Sequence, residues 1–227
     1  MPPDKYSYSY EYDAFYCYPG TNTLKNKLGI TDDSVLEEAE RKLVLFRVDE
    51  LFAGSIKGGF DFLHLKAIHR YLFQDLYEWA GVARTVAIAK TNLFCLPQYI
   101  ESAGNDVFLK LKNQNYFIDL DYEDAIEALV SLFADINALH PFREGNGRTQ
   151  REFVEELAKI CGVNLDLTVV NSFDMIVASH DSTNGDFRTL REMFQRCANK
   201  LSKLEQKQYL ELYCTDNLKH ELLEQLT

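Results

Sequence analysis

Apolar side chains recur at three- and four-residue spacing along almost all of this 227-residue chain, which restricts it to folds made by packing helices against helices. Thr31-Asp32-Asp33-Ser34 offers N-cap groups ahead of Leu36, Ala39, Leu43, Phe46 and Leu51, so a helix is predicted to run to about Phe52. Leu65, Ile68, Leu72, Leu76 and Trp79 repeat the pattern in a segment from Phe60 that Gly81 is expected to close. Two more helices are predicted over Tyr99 to Lys112 and Tyr122 to Leu139, the second with Ile126, Leu129, Phe133 and Ile136 on one face. Others follow from about Arg148 to Ile160, around Ser172 to Ala178, from Arg188 to Leu204 and from Gln206 to Leu226.

One stretch breaks the period. In Arg84 to Leu96, Val86 and Ile88 alternate with small or polar residues, Lys90-Thr91-Asn92 can turn, and Phe94 and Leu96 alternate again, so a short β-hairpin is expected there. Pro19-Gly20 marks the end of a Tyr-rich N-terminal arm. The expected fold is therefore mostly α-helical, interrupted by one hairpin.

Charge narrows the function. With 35 Asp plus Glu against 24 Lys plus Arg, the net charge of -11 repels a phosphate backbone, which argues against a general nucleic-acid binder and makes any nucleotide site local. The five cysteines form no CxxC pair, so neither a disulfide framework nor a structural zinc site is indicated. The start of the chain has no apolar core flanked by basic residues, and no apolar run reaches the ~18 residues of a membrane span. A cytoplasmic protein is expected, or one delivered into a host cytosol without a cleaved signal peptide.

The chemistry is concentrated between two of the predicted helices, in Leu139-His-Pro-Phe-Arg-Glu-Gly-Asn-Gly-Arg-Thr-Gln-Arg-Glu-Phe153. Gly145 and Gly147 flank Asn146 at a loop-to-helix junction, which lets consecutive N–H groups form an anion nest; an ordinary glycine turn capped by Asn146 is the plainer reading. Arg148 and Arg151 fall in the first turn of the next helix, where the macrodipole disfavours cations unless something anionic offsets them. Surface pairing with Glu152 and Glu155 would supply only ~0.3–0.5 kcal/mol, so a polyphosphate is the better account. His140 ends the preceding helix four residues before Glu144. A base, a carboxylate able to hold Mg2+, a nest and two guanidinium groups are the parts that phosphoryl or nucleotidyl transfer needs.

This segment resembles the signature of the Fic family, HxFx(D/E)GNGRxxR, at every specified position. YPGTNTLKNKLGI and LKAIHRYLFQDLYEWAGVAR resemble the N-terminal half of Fic domains, particularly toxins and effectors restrained by a separate small protein. The resemblance covers roughly Tyr16 to Leu201. It implies an N-terminal arm over residues 1–20, a Fic domain over 21–201 and a C-terminal helical extension over 202–227.

It also implies roles. His140 would deprotonate a Ser, Thr or Tyr hydroxyl of a target protein, and Phe142 would anchor the loop. Glu144 would bind Mg2+, while the Gly145, Asn146 and Gly147 backbone with the Asn146 side chain would hold the α-phosphate of ATP. Arg148 would neutralise the β- and γ-phosphates and Arg151 would fix the γ-phosphate. The hairpin, with Ile88, Ala89, Lys90, Thr91 and Asn92 at its centre, would dock the target by strand addition. Asp181 to Asp186 would approach the adenosine. Fic proteins are commonly restrained by (S/T)xxxE(G/N); Ser7 with Glu11 and Ser34 with Glu38 match only in part, so an antitoxin-like partner is expected to supply the inhibitory Glu. The activity implied is protein adenylyltransfer, with a phosphotransferase, transfer of another nucleotide or a non-catalytic nucleotide-binding module as alternatives.

Overall fold

The structure, a computed structural model, describes residues 9–10, 14–53, 56–89 and 93–226. Helix α1 (Asp33–Phe52) starts where the sequence places it: the Asp32 side chain accepts from the Val35 N–H, a side-chain N-cap. Helix α2 (Phe62–Phe73) has Asp61 as its cap and buries His64, Leu65, Ile68, His69 and Leu72. It ends before the expected stop at Gly81. Leu76 gives its carbonyl to the Lys27 N–H at 2.8 Å, and Tyr77 stacks on Trp79 with ring centroids 4.3 Å apart, so tertiary contacts bend the chain into turns that the local period cannot foresee.

Helices α3 (Ile100–Asn113), α4 (Tyr122–Leu139) and α5 (Asn146–Ile160) lie within two residues of their expected bounds, and α4 buries the face of Ile126, Leu129, Phe133 and Ile136. α5 is the centre of the molecule, with Phe153, Val154, Leu157, Ala158 and Ile160 all fully buried. α4 and α2 flank it, and α1 lies against α2. Helices α6 (Ser172–Thr183) and α7 (Arg188–Cys197) pack on α4. Asn137 of α4 donates to the Ser179 carbonyl at 2.8 Å, which pins α6 in place.

The C-terminal third departs from expectation twice. The helix predicted to Leu204 stops at Cys197, because Ala198–Lys200 pairs antiparallel with Val163–Leu165 in a second small sheet. The helix predicted over Gln206 to Leu226 is two, α8 (Lys203–Tyr213) and α9 (Asp216–Gln225). The break has a cause: Gly58 donates to the Tyr213 carbonyl at 2.9 Å and accepts from the Thr215 N–H at 3.0 Å, so a distant segment replaces the helical ladder. α8 packs on α5, with Leu210 and Tyr213 buried and Gln206 donating to the Ile160 carbonyl at 2.7 Å.

The hairpin is smaller than its sequence signal. Strand Ile88–Ala89 meets the returning chain at an Ala89–Leu93 bridge, and Phe94 donates to the Ile88 carbonyl at 3.2 Å. Its turn, Lys90-Thr91-Asn92, lies outside the described residues. The other edge of Ile88–Ala89 is not open. Ser9–Tyr10 pairs with it antiparallel, in the register Ser9 to Ala89 and Tyr10 to Ile88, so the N-terminal arm contributes a strand where only irregular chain was expected. Among the described residues no helix is long and apolar enough to cross a membrane, and all five thiols are free.

Candidate active site

The candidate site is the junction between the end of α4 and the start of α5. His140 caps α4 in the left-handed conformation, φ 44° and ψ 59°, with its N–H still bonded to the Ile136 carbonyl at 3.0 Å. A non-glycine residue rarely adopts this backbone, so the turn is held by its surroundings. Arg84 supplies much of that hold. Its guanidinium is buried and donates to three carbonyls, His140 at 2.8 Å, Val86 at 2.7 Å and Cys95 at 2.5 Å, so it ties the base of the hairpin to the loop. Its backbone N–H adds a bond to the Pro141 carbonyl at 2.8 Å. Burial depresses this guanidinium to about 10, high enough to stay charged at neutral pH. A lone Arg ahead of a strand carries no such signal in the sequence.

The loop after His140 is fixed from inside. Phe142 is 1% exposed and stacks on His69, centroids 3.8 Å apart. His69 accepts from the Gly81 N–H at Nδ1, so Nε2 carries the proton and donates to the Glu144 carbonyl at 3.0 Å. Burial holds this imidazole down to about 3, which keeps it neutral. His69 is thus a packing residue, as is His64, buried within 3.5 Å of Glu156.

Asn146 is engaged with its own loop. Its side chain accepts from the Phe142 N–H and donates to the Phe142 carbonyl, both at 2.8 Å, so both ends serve to close the loop. Its backbone N–H and the second N–H of its side-chain amide are not used in these bonds. Gly145, with φ +80°, lets the chain enter α5 without a side chain; a Cβ there would lie 2.3 Å from the Phe73 ring.

Gly145, Gly147, Arg148, Arg151 and Glu144 line one cavity of about 590 Å³ at the N-terminus of α5. Its further walls are Leu36, Glu37, Glu40 and Arg41 of α1, Tyr77, and Ser172, Met175 and Ile176 of α6. Asp181 to Asp186, at the other end of α6, do not line it. Arg148 pairs with Glu40 and approaches Glu144 at 3.5 Å rather than reaching Glu152, and Arg151 makes no ion pair among the described residues. Burial, against the pull of Arg148, raises the Glu144 carboxyl above its ordinary range. The Phe94 ring lies flat on His140, which brings the hairpin and the imidazole together.

A model of the Fic/DOC family matches residues 59–158, and the chain is 38% identical over 182 residues to the probable protein adenylyltransferase y4lH of Sinorhizobium fredii, across 79% of this chain and 93% of that one. The chain belongs to the Fic/DOC family. This Fic protein is also 35% identical over 191 residues to the probable protein adenylyltransferase Fic of Salmonella typhimurium, covering 84% of this chain and 94% of that one. Among solved structures it is similar to the Bartonella tribocorum effector BepC with bound AMPPNP, at a TM-score of 0.77 and 26% identity over 84% of this chain and 99% of that one. The type IV secretion system effector BepA is similar at a TM-score of 0.75 and 32% identity, over 82% of this chain and 69% of that one. The mostly helical scaffold of this Fic protein, with a small two-stranded antiparallel sheet at Ile88–Ala89, agrees with the fold class expected.

Proposed function

We propose that this Fic protein is a protein adenylyltransferase that moves AMP from Mg-ATP to a Ser, Thr or Tyr hydroxyl of a target protein. The observation that carries this reading is the cavity at the N-terminus of α5, where a glycine-flanked nest and two arginines face a carboxylate. The nest N–H groups would cradle the α-phosphate, and Arg148 and Arg151 the β- and γ-phosphates. His140 takes the proton from the target hydroxyl; its oxygen then bonds to the α-phosphorus, and the α–β bridging bond breaks to release pyrophosphate. Mg2+ would be held by Glu144 together with phosphate oxygens and would neutralise charge on the leaving group. One carboxylate suits an ion that is bound through one or two carboxylates and the phosphates of its substrate.

The target would dock by strand addition at the hairpin, Ile88, Ala89, Lys90, Thr91 and Asn92 forming its centre. Regulation by a small antitoxin-like helix is supported by a groove of about 430 Å³ beside the cradle, lined by Val44, Leu45, Val48, Val170, Arg41 and Arg151. A carboxylate on the apolar face of such a helix would reach Arg151. The internal half-match at Ser34 does not serve this purpose: Glu38 is on the exposed face of α1, bonded to Lys42 at 2.6 Å. Glu11 lies outside the described residues. The domain division proposed is an arm over 1–20, the Fic domain over 21–201 and a C-terminal extension over 202–227 that packs on α5.

Incubation with ATP labelled at the α- or the γ-phosphate decides the reaction. Label transferred to protein from the α position alone is expected, and transfer from the γ position would make the enzyme a phosphotransferase. His140→Ala should keep ATP binding and lower transfer by about 10²–10⁴-fold.

A further inference from the structure

The cradle contains a carboxylate outside the signature. Glu40, two turns into α1, sets Oε1 against Nη2 of Arg148 and accepts a hydrogen bond from the Tyr77 hydroxyl on Oε2. Tyr77 is 1% exposed and stacked on Trp79, so the hydroxyl that grips Glu40 is fixed by the core. On the other side the Arg148 guanidinium lies over the Phe73 ring, 4.8 Å from its centroid. Both carboxylate contacts of Arg148, to Glu40 and to Glu144, go to Nη2, which leaves its other N–H groups available to a phosphate.

We propose that Glu40, braced by Tyr77, is a positioning residue that holds the Arg148 guanidinium over the phosphate cradle; this rests on the nucleotide reading of the site. A long side chain in the first turn of a helix faces the positive end of the macrodipole and has many rotamers, so without a partner it would sample directions away from an incoming anion. The Tyr77–Glu40–Arg148 chain removes that freedom before the nucleotide arrives, in the way that supporting hydrogen bonds preorganise a binding group. A carboxylate that merely competed with phosphate for Arg148 would have to leave when ATP binds. Glu40 is poorly placed to leave: its side chain is 11% exposed and one oxygen is committed to the core. Its charge still opposes a polyanion, so the sign of the effect separates the two roles.

Calorimetric titration of Glu40→Gln, Tyr77→Phe and Arg148→Ala with ATP and with AMP tests this. AMP lacks the phosphates assigned to Arg148. Glu40→Gln is expected to loosen ATP about tenfold and leave AMP unchanged, Tyr77→Phe to loosen ATP by a smaller factor, and Glu40→Gln to have no further effect in the Arg148→Ala background. Equal or tighter ATP binding by Glu40→Gln would overturn the proposal. So would the same loss in the Arg148→Ala background, which would mark a purely structural role. If Glu40→Gln does not fold, Tyr77→Phe, which keeps the ring in the core, carries the test alone. A wild-type chain that binds neither nucleotide would refute the reading on which the proposal rests.

Discussion

The ring of Phe94 lies parallel to the imidazole of His140, with centroids 3.9 Å apart and planes 11° from one another. Phe94 belongs to the return of the hairpin and His140 to the end of α4, so the contact joins the proposed docking element to the proposed base. Phe94→Ala should lower transfer about tenfold or more while ATP affinity holds, because a misplaced base is costly to rate and the phosphate cradle is untouched. Phe94→Tyr should restore most of the activity. Equal loss of transfer and of ATP binding by Phe94→Ala would show that the ring supports the fold rather than the imidazole.

The two glycines of the nest are expected to behave differently. Gly145→Ala forces a Cβ to 2.3 Å from the Phe73 ring at a φ of +80°, and should cost roughly 2–4 kcal/mol from strain and overpacking together. At Gly147 a Cβ would meet Arg151 Nη1 at an ordinary 3.6 Å, so Gly147→Ala should unfold within about 0.5 kcal/mol of wild type and lose ATP affinity only. Chemical denaturation and nucleotide titration of both variants check this, and equal destabilisation would disprove the distinction.

The buried acids of α5 give the protein a pH dependence. Burial, and then the nearby Glu155, pushes Glu152 up to about 8, so between about pH 4.5 and 8 the folded chain retains a proton that the unfolded chain has lost. Stability contributed by this group therefore falls as pH rises through that window. Glu152→Gln removes this group's share of the dependence and leaves that of Glu155, which burial also raises. Its stability relative to wild type should rise from pH 5 to pH 8 by on the order of 1–3 kcal/mol, and a gap that stays constant in denaturation curves would refute the assignment.

The hairpin edge offers another test. Because Ser9–Tyr10 already occupies the free side of Ile88–Ala89, strand addition by a target requires the arm to move. Ala89→Pro, which removes a ladder donor, should impair labelling of target protein more than ATP binding. A chain lacking residues 1–12 should show faster amide exchange over residues 88–89 with ATP affinity unchanged. Exchange unaffected by the deletion would mean that the arm does not protect this edge in solution.

What the sequence determined on its own is local. The period of apolar residues set α4, whose named face is buried, and gave the extent of α1 but not its face, since Phe46 is exposed while Glu40 and Val44 are buried; Asp32 marked the start of α1 through its short side chain. The signature from His140 to Arg151 was legible because its glycines, base, carboxylate and arginines, each with an ordinary structural use alone, fall together within twelve residues. Only the tertiary structure decided where distant segments meet. It ended α2 at Phe73 by giving the Leu76 carbonyl to Lys27, and split α8 from α9 by inserting Gly58. It committed both ends of the Asn146 side chain to Phe142 and brought Arg84, Tyr77 and Glu40 to the motif from positions far outside it. Hydrogen bonds between segments far apart in the chain leave no period in a sequence, so no window of residues could have contained them.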